Sequence, residues 1–103
     1  MSSEDRKLRT LWAQMDILRR ELGDKVPSQT IAALLYIAME PGITVLALGE
    51  KLRLSTSSPS RIAEALALEE KLVEFREVPD DRRAKALHLT SRGEKLVQSL
   101  FDV

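Results

Sequence analysis

The sequence predicts a mainly α-helical fold with one small β-hairpin, in the order α-α-α-α-β-β-α. Three observations carry that expectation. Leu8, Leu11, Met15, Leu18 and Leu22 step by three and four, the spacing of one helix face. Pro41-Gly42 and Arg53-Leu54-Ser55 cut the middle of the chain into short helical pieces. Residues 84–90 alternate in the manner of a strand, directly after a turn at Pro79-Asp80-Asp81.

The first helix spans 4–22. Trp12 widens its apolar stripe, and Gly23 stands where a helix stops. Two readings of that stripe are open: a core helix of one protomer, or a dimerisation helix whose Leu8, Leu11, Trp12, Met15 and Leu18 pack on a second chain. After Val26-Pro27, Ser28 is the expected cap of a second helix running to about Met39, with Ile31, Leu34, Leu35 and Ala38 inward. Thr44 is expected to cap a third helix over 45–52, with Leu48 and Leu52 inward. A fourth begins among Thr56, Ser57, Ser58 and Pro59 and runs to about Glu70, burying Ile62, Ala63, Leu66 and Ala67. Proline favours the first helical position, which makes Ser58 the cap; a start at Ser55 sets Pro59 deeper in the first turn. Residues 72–78 and 84–90 form the hairpin, and Thr90 or Ser91 caps a last helix ending near Phe101, with Leu96, Val97 and Leu100 inward. Two short helices joined by a tight turn and followed by a hairpin make a winged helix-turn-helix, with its wing loop at 79–85.

At 103 residues the chain is expected to form a single domain over 1–103. Its 44% hydrophobic and 31% charged residues fit an ordinary globular protein. No apolar run approaches a membrane span, and the N-terminus lacks the apolar core of a signal peptide. The chain has no cysteine and one histidine, so disulfides are excluded and a metal site is not expected. A cytoplasmic location, no cofactor and no membrane partner are the resulting expectations. The carboxylate pairs Asp80-Asp81 and Glu69-Glu70 lie near no His or Cys in sequence and read as surface charge; no nucleophile–base pair can be assembled, so an enzyme is not expected. The 16 basic and 16 acidic residues cancel. A neutral total argues against a nucleic-acid binder only in part, because affinity depends on where charges cluster.

The residues that carry chemistry lie in two places. The fourth helix opens with Thr56, Ser57, Ser58, Ser60 and Arg61. Hydroxyls can meet phosphates or base edges in a major groove, and Arg can grip guanine through two hydrogen bonds. The same hydroxyls also serve as helix caps. The wing carries Asp81, Arg82, Arg83 and Lys85. Arginine gains from the negative potential of a narrow minor groove, and Asp81 can hold the Arg83 guanidinium or stiffen the loop. Lys51, Arg53, Arg76 and Arg92 are candidate phosphate contacts.

These residues resemble the MarR (multiple antibiotic resistance regulator) family of winged-helix transcription factors over about residues 28–98. The resemblance runs through Ser28-Gln29, Gly42-Ile43-Thr44, Leu54-Ser55-Thr56-Ser57, Ser60-Arg61 and Leu72-Val73-Glu74. Its most specific part is Asp81-Arg82-Arg83 followed by Leu87-His88-Leu89-Thr90-Ser91-Arg92-Gly93. It implies a homodimeric DNA-binding regulator, usually a repressor, that reads the major groove with the helix over 56–70 and the minor groove with Arg83 or Arg82. Such regulators often release DNA when a small molecule binds; the sequence leaves an effector, the operator and the sign of regulation open. The sequence departs from the family pattern at Lys71, where Gly is usual, at Phe75, often Arg, and at Pro59, usually aliphatic; the fourth helix reads one residue longer. Family members usually have two helices beyond the wing, which leaves either the first helix carrying dimerisation or a shortened phage- or plasmid-type relative. Two other functions stay open: a winged-helix adaptor or anti-repressor that binds protein, and a phage or plasmid replication or partition protein.

Overall fold

Two threonines set the architecture, each ending a strand and opening a helix. In the computed structural model, which describes residues 2–55 and 58–103 and only the backbone of Arg82, Thr44 Oγ1 accepts the Ala47 N–H at 3.1 Å and Thr90 Oγ1 accepts the Gly93 N–H at 3.1 Å. Such caps satisfy amides that a helix start leaves without partners, worth about 1 kcal/mol each.

The elements in chain order are α1 (Ser3–Leu22), α2 (Ser28–Met39), β1 (Ile43–Thr44), α3 (Val45–Lys51), α4 (Ser58–Glu64), a π-helical turn (Ala65–Glu69), β2 (Val73–Val78), β3 (Asp81–Leu89) and α5 (Ser91–Phe101). The mainly helical fold with a small sheet is as expected, but the sheet has three strands, ordered β1-β3-β2 and antiparallel. The short β1, which pairs Ile43 with Leu87 and Thr44 with Ala86, was not foreseen. Two residues are too few to show alternation, so only tertiary pairing defines them.

Four further differences have physical causes. Ser28 is the first residue of α2 rather than its cap; Pro27 precedes it, and the Pro27 carbonyl accepts from Thr30 and Ile31. The buried positions of α2 are Ile31, Ala33, Leu34 and Ile37, while Leu35 and Ala38 are half-buried. This helix packs against α3, α4, α5 and β3, so it is apolar on more than one face and its stripe is poorly defined by sequence. Third, the fourth helix widens after Glu64: the Glu70 N–H reaches the Ala65 carbonyl five residues back at 3.0 Å. An extra residue is absorbed in this wider turn. Fourth, β3 begins at Asp81, so the hairpin turn narrows to Pro79-Asp80 and the rest of the expected wing loop is strand.

Leu34, Ile37, Leu48, Leu66, Val73 and Leu87 form the fully buried centre. Leu18 joins them from α1. Around this centre, one junction ties the hairpin to the helices. The Thr90 N–H donates to the Leu72 carbonyl at 3.0 Å, and the Thr90 hydroxyl donates to the Lys71 carbonyl at 2.7 Å. Gly93 packs onto the same Leu72 carbonyl so closely that a Cβ there would overlap the oxygen. Lys71 itself has φ +58°, a left-handed conformation that costs an L-residue about 1–2 kcal/mol.

Two substitutions test this junction. Gly93→Ala should destabilise the chain by about 2 kcal/mol, because backbone rather than a flexible side chain must yield. Lys71→Gly should raise stability by about 1 kcal/mol by removing the left-handed penalty. Both are read from chemical denaturation midpoints; an unchanged Gly93→Ala midpoint would contradict the contact.

Candidate nucleic-acid interface

Helices α3 and α4 meet through Gly49 and Pro59. A Cβ on Gly49 would overlap the Pro59 ring, and both residues are buried. The missing side chain on one helix thus seats the ring on the other. The Gly49 carbonyl accepts from Leu54 at 2.9 Å, and Arg53 turns the chain with φ +57°. These contacts set the entry angle of α4. Pro59, a departure from the family's aliphatic, is fitted to a glycine across the turn.

Of the hydroxyl cluster, Thr56 and Ser57 lie outside the described residues. Ser58 is half-buried, and its Oγ lies 2.9 Å from Ser55 Oγ. It opens α4 as a helical residue, with Pro59 next. Ser60 and Arg61 are exposed on α4. The wing begins with Asp81, whose carboxylate accepts the Arg83 backbone N–H at 3.0 Å. Of the two roles read for Asp81, the structure has the loop-stiffening one. The register shows why stiffening is needed. Val78 pairs with Asp81 and Glu77 with Lys85, so residues 82–84 bulge out of the ladder with no opposing residues. Arg83 and Lys85 are exposed there.

The two elements stand on the same side of the molecule. Ser55 and Ser60 from the helix-turn-helix line one groove of about 820 Å³ together with Arg83 and Lys85 from the hairpin. Its apolar part includes Leu46 and Phe75, and the carboxylates of Glu50, Glu64 and Asp81 also border it. Ser55, Glu50 and Leu46 were not singled out as site residues by sequence. Ser55 had a signal, a hydroxyl three residues before Ser58; Glu50 and Leu46 had none, because their role arises from where α3 sits. Lys51, Arg53, Arg61, Arg76 and Arg92 are exposed but do not line this groove. Arg76 lies 3.4 Å from Glu74. Among the described residues, no cluster of three or more His, Cys, Asp or Glu is placed to hold a metal ion, and no helix is long and apolar enough to cross a membrane.

The five residues expected at a dimer interface divide. Leu18 is buried inside the protomer, whereas Leu8, Leu11, Trp12 and Met15 are exposed.

The Asp81 contact gives a direct test. Asp81→Ala should raise the exchange rate of the Arg83 amide about fivefold, the equivalent of one hydrogen bond of about 1 kcal/mol. Asp81→Asn keeps an acceptor oxygen and should largely preserve protection. Equal exchange in all three proteins would remove the stiffening role.

No family model matches the sequence, and no curated protein matches it. Solved structures do match. The crystal structure of MarR is 25% identical with TM-score 0.70, over 99% of this chain and 74% of that one. The PcaV transcriptional regulator of Streptomyces coelicolor is 22% identical with TM-score 0.69, over 98% of this chain and 74% of that one. BpsR of Bordetella bronchiseptica, whose DNA binding is regulated by 6-hydroxynicotinic acid, is 18% identical with TM-score 0.66, over 98% and 72%. The helix-turn-helix, the hairpin and these likenesses agree: the chain has the winged helix-turn-helix fold of MarR-type transcriptional regulators.

Proposed function

We propose that this protein is a sequence-specific double-stranded DNA-binding transcriptional regulator that acts as a homodimer, most simply as a repressor. The observation that carries the reading is the shared groove. Ser55 and Ser60 of the helix-turn-helix and Arg83 and Lys85 of the wing face one space, so one duplex can meet both elements. The likeness to MarR and PcaV supports a regulator.

In this reading α4 enters the major groove. Ser60 and Arg61 meet base edges, with Arg61 donating two hydrogen bonds to guanine O6 and N7. Thr56, Ser57 and Ser58 belong to the same helix start by sequence. The wing enters the adjacent minor groove, where Arg83 gains from the potential between the phosphate rows. Arg82 is the alternative tip residue by sequence. Lys51, Arg53, Arg76 and Arg92 supply phosphate contacts, which set affinity and orientation but carry no base information. A homodimer presents two such faces to half-sites about one duplex turn apart.

Selecting bound fragments from a random duplex pool tests the reading whole. A two-fold symmetric motif with that half-site spacing is the expected result. Affinity for the selected site should fall steeply with salt, as phosphate contacts require. Arg61→Ala should cost about 1–3 kcal/mol on the selected site and relax preference at one base pair. Arg83→Ala should weaken selected and random duplexes alike. Absence of duplex binding at low salt would overturn the proposal in favour of a protein-binding adaptor, and unchanged binding by both variants would mean the wrong face has been assigned.

A further inference from the structure

Glu64 stands on the side of α4 that the proposed function turns toward DNA. Ile62 and Ala63 are buried on the inner side of that helix, while Ser60, Arg61 and Glu64 are exposed. At 3.6 residues per turn Glu64 lies about 40° around the helix from Ser60 and about 60° from Arg61, between the two. It is the last α-helical residue before the π turn at Ala65–Glu69, so this spacing holds up to Glu64 and is broken beyond it. Glu64 also lines the groove shared with the wing, as Ser60 does. Among the described residues, neither Glu64 nor Arg61 is in an ion pair, so the two side chains do not neutralise each other.

A carboxylate sorts the four bases by their edges, because it only accepts hydrogen bonds. In the major groove guanine presents two acceptors, and thymine presents an acceptor and a methyl group. Adenine presents its N6 donor beside its N7 acceptor. Cytosine presents its N4 donor with no acceptor of its own. Cytosine is therefore the base edge that a carboxylate meets without opposition.

Resting on the DNA-binding reading above, we propose that Glu64 is a specificity-determining residue that selects cytosine, accepting a hydrogen bond from its N4 amino group, at the base pair next to the guanine held by Arg61. Arg61 and Glu64 are about 4.5 Å apart along the helix axis, and base pairs are about 3.4 Å apart along a duplex. The two side chains thus address neighbouring steps. Their charges match those edges: the guanidinium meets guanine O6 and N7, and the carboxylate meets the cytosine amino group. Ser60 both donates and accepts, so it adds contact with little discrimination. A carboxylate near phosphates weakens every duplex alike, and the N4 donor offsets that loss only where cytosine stands.

Selection from a random duplex pool tests this role, using the wild type, Arg61→Ala, Glu64→Ala and Glu64→Gln. Circular dichroism controls for folding of each variant. Arg61→Ala marks its own position by the loss of guanine there. The wild type should carry cytosine at the adjacent position, and any other base there should weaken binding about tenfold. Glu64→Ala should lose that preference alone. Glu64→Gln sets an amide in the same place, and an amide pairs with adenine N6 and N7. The preferred base should therefore change from cytosine to adenine. A carboxylate that only repels phosphate or supports the fold gives no such exchange. A motif unchanged in either Glu64 variant, or a Glu64-dependent cytosine that does not adjoin the Arg61-dependent guanine, would overturn the role of Glu64 and leave the DNA-binding reading standing. A wild type that binds no duplex at low salt would overturn both.

Discussion

The carbonyl of Leu72 is where the two halves of the fold are tied. It accepts the Thr90 N–H and lies against Gly93, so the exit of the segment that follows α4, the end of β3 and the start of α5 share one point. The Lys71 carbonyl beside it takes the Thr90 hydroxyl. β2 and β3 are paired from Val73–Leu89 outward, so fixing their base fixes the direction in which the wing projects. Among the described residues, the only other strand that holds the hairpin is the two-residue β1 against β3, and a ribbon with so short a neighbour gains little from pairing alone. The sequence pattern Leu-Thr, two residues, Gly thus has a mechanical meaning: a cap, a clasp and a position with no room for a side chain.

The second constraint lies at the start of α4. Gly49 and Pro59 interlock across the helix-turn-helix, and both are buried. Pro59 has no N–H to lose at the start of a helix and brings a pre-set backbone angle. A residue that weakens most helix interiors therefore stiffens this one at its entry. Between Pro59 and the Leu72 junction the helix is interrupted by the π turn at 65–69. It takes up an extra residue without disturbing either end, with Lys71 in the left-handed region completing the exit.

What could be read directly was whatever depends on neighbours in sequence. Thr44 as a cap, Thr90 or Ser91 as another, Gly23 as a stop, and the inward Leu48, Leu66, Leu96 and Leu100 follow from local hydrogen bonding and helical spacing; the structure agrees and takes Thr90 of the two. What could not be read depends on distant partners. β1 exists because residues 43–44 meet 86–87. The buried face of α2 turns toward Ala33 and Ile37 because other elements surround it. Leu18 and Leu8 continue one stripe by spacing, yet one is buried and the other exposed; periodicity reports that a face is apolar, not which molecule covers it. At the candidate interface, the serines and arginines were legible as residue types, but their common groove was not. Its carboxylates come from α3, α4 and β3 together.

Those carboxylates bear on how a chain of zero net charge can act as the proposed regulator. Screening limits electrostatic reach to about 8 Å at physiological salt, so a duplex responds to the face it meets rather than to the total. On that face Arg83 and Lys85 stand beside Glu50, Glu64 and Asp81. Asp81 is already engaged with the Arg83 backbone. Carboxylates repel phosphates without regard to sequence, and they lower the non-specific part of binding. They lower specific binding by the same phosphate term, while each base-edge donor that meets its acceptor adds affinity at that site alone. A mixed-charge face therefore gives up affinity common to all duplexes while keeping contacts that depend on sequence, and discrimination between duplexes is left to those contacts. Neutrality of the whole chain is thus compatible with the proposed recognition and bears chiefly on how little such a protein holds DNA it does not recognise.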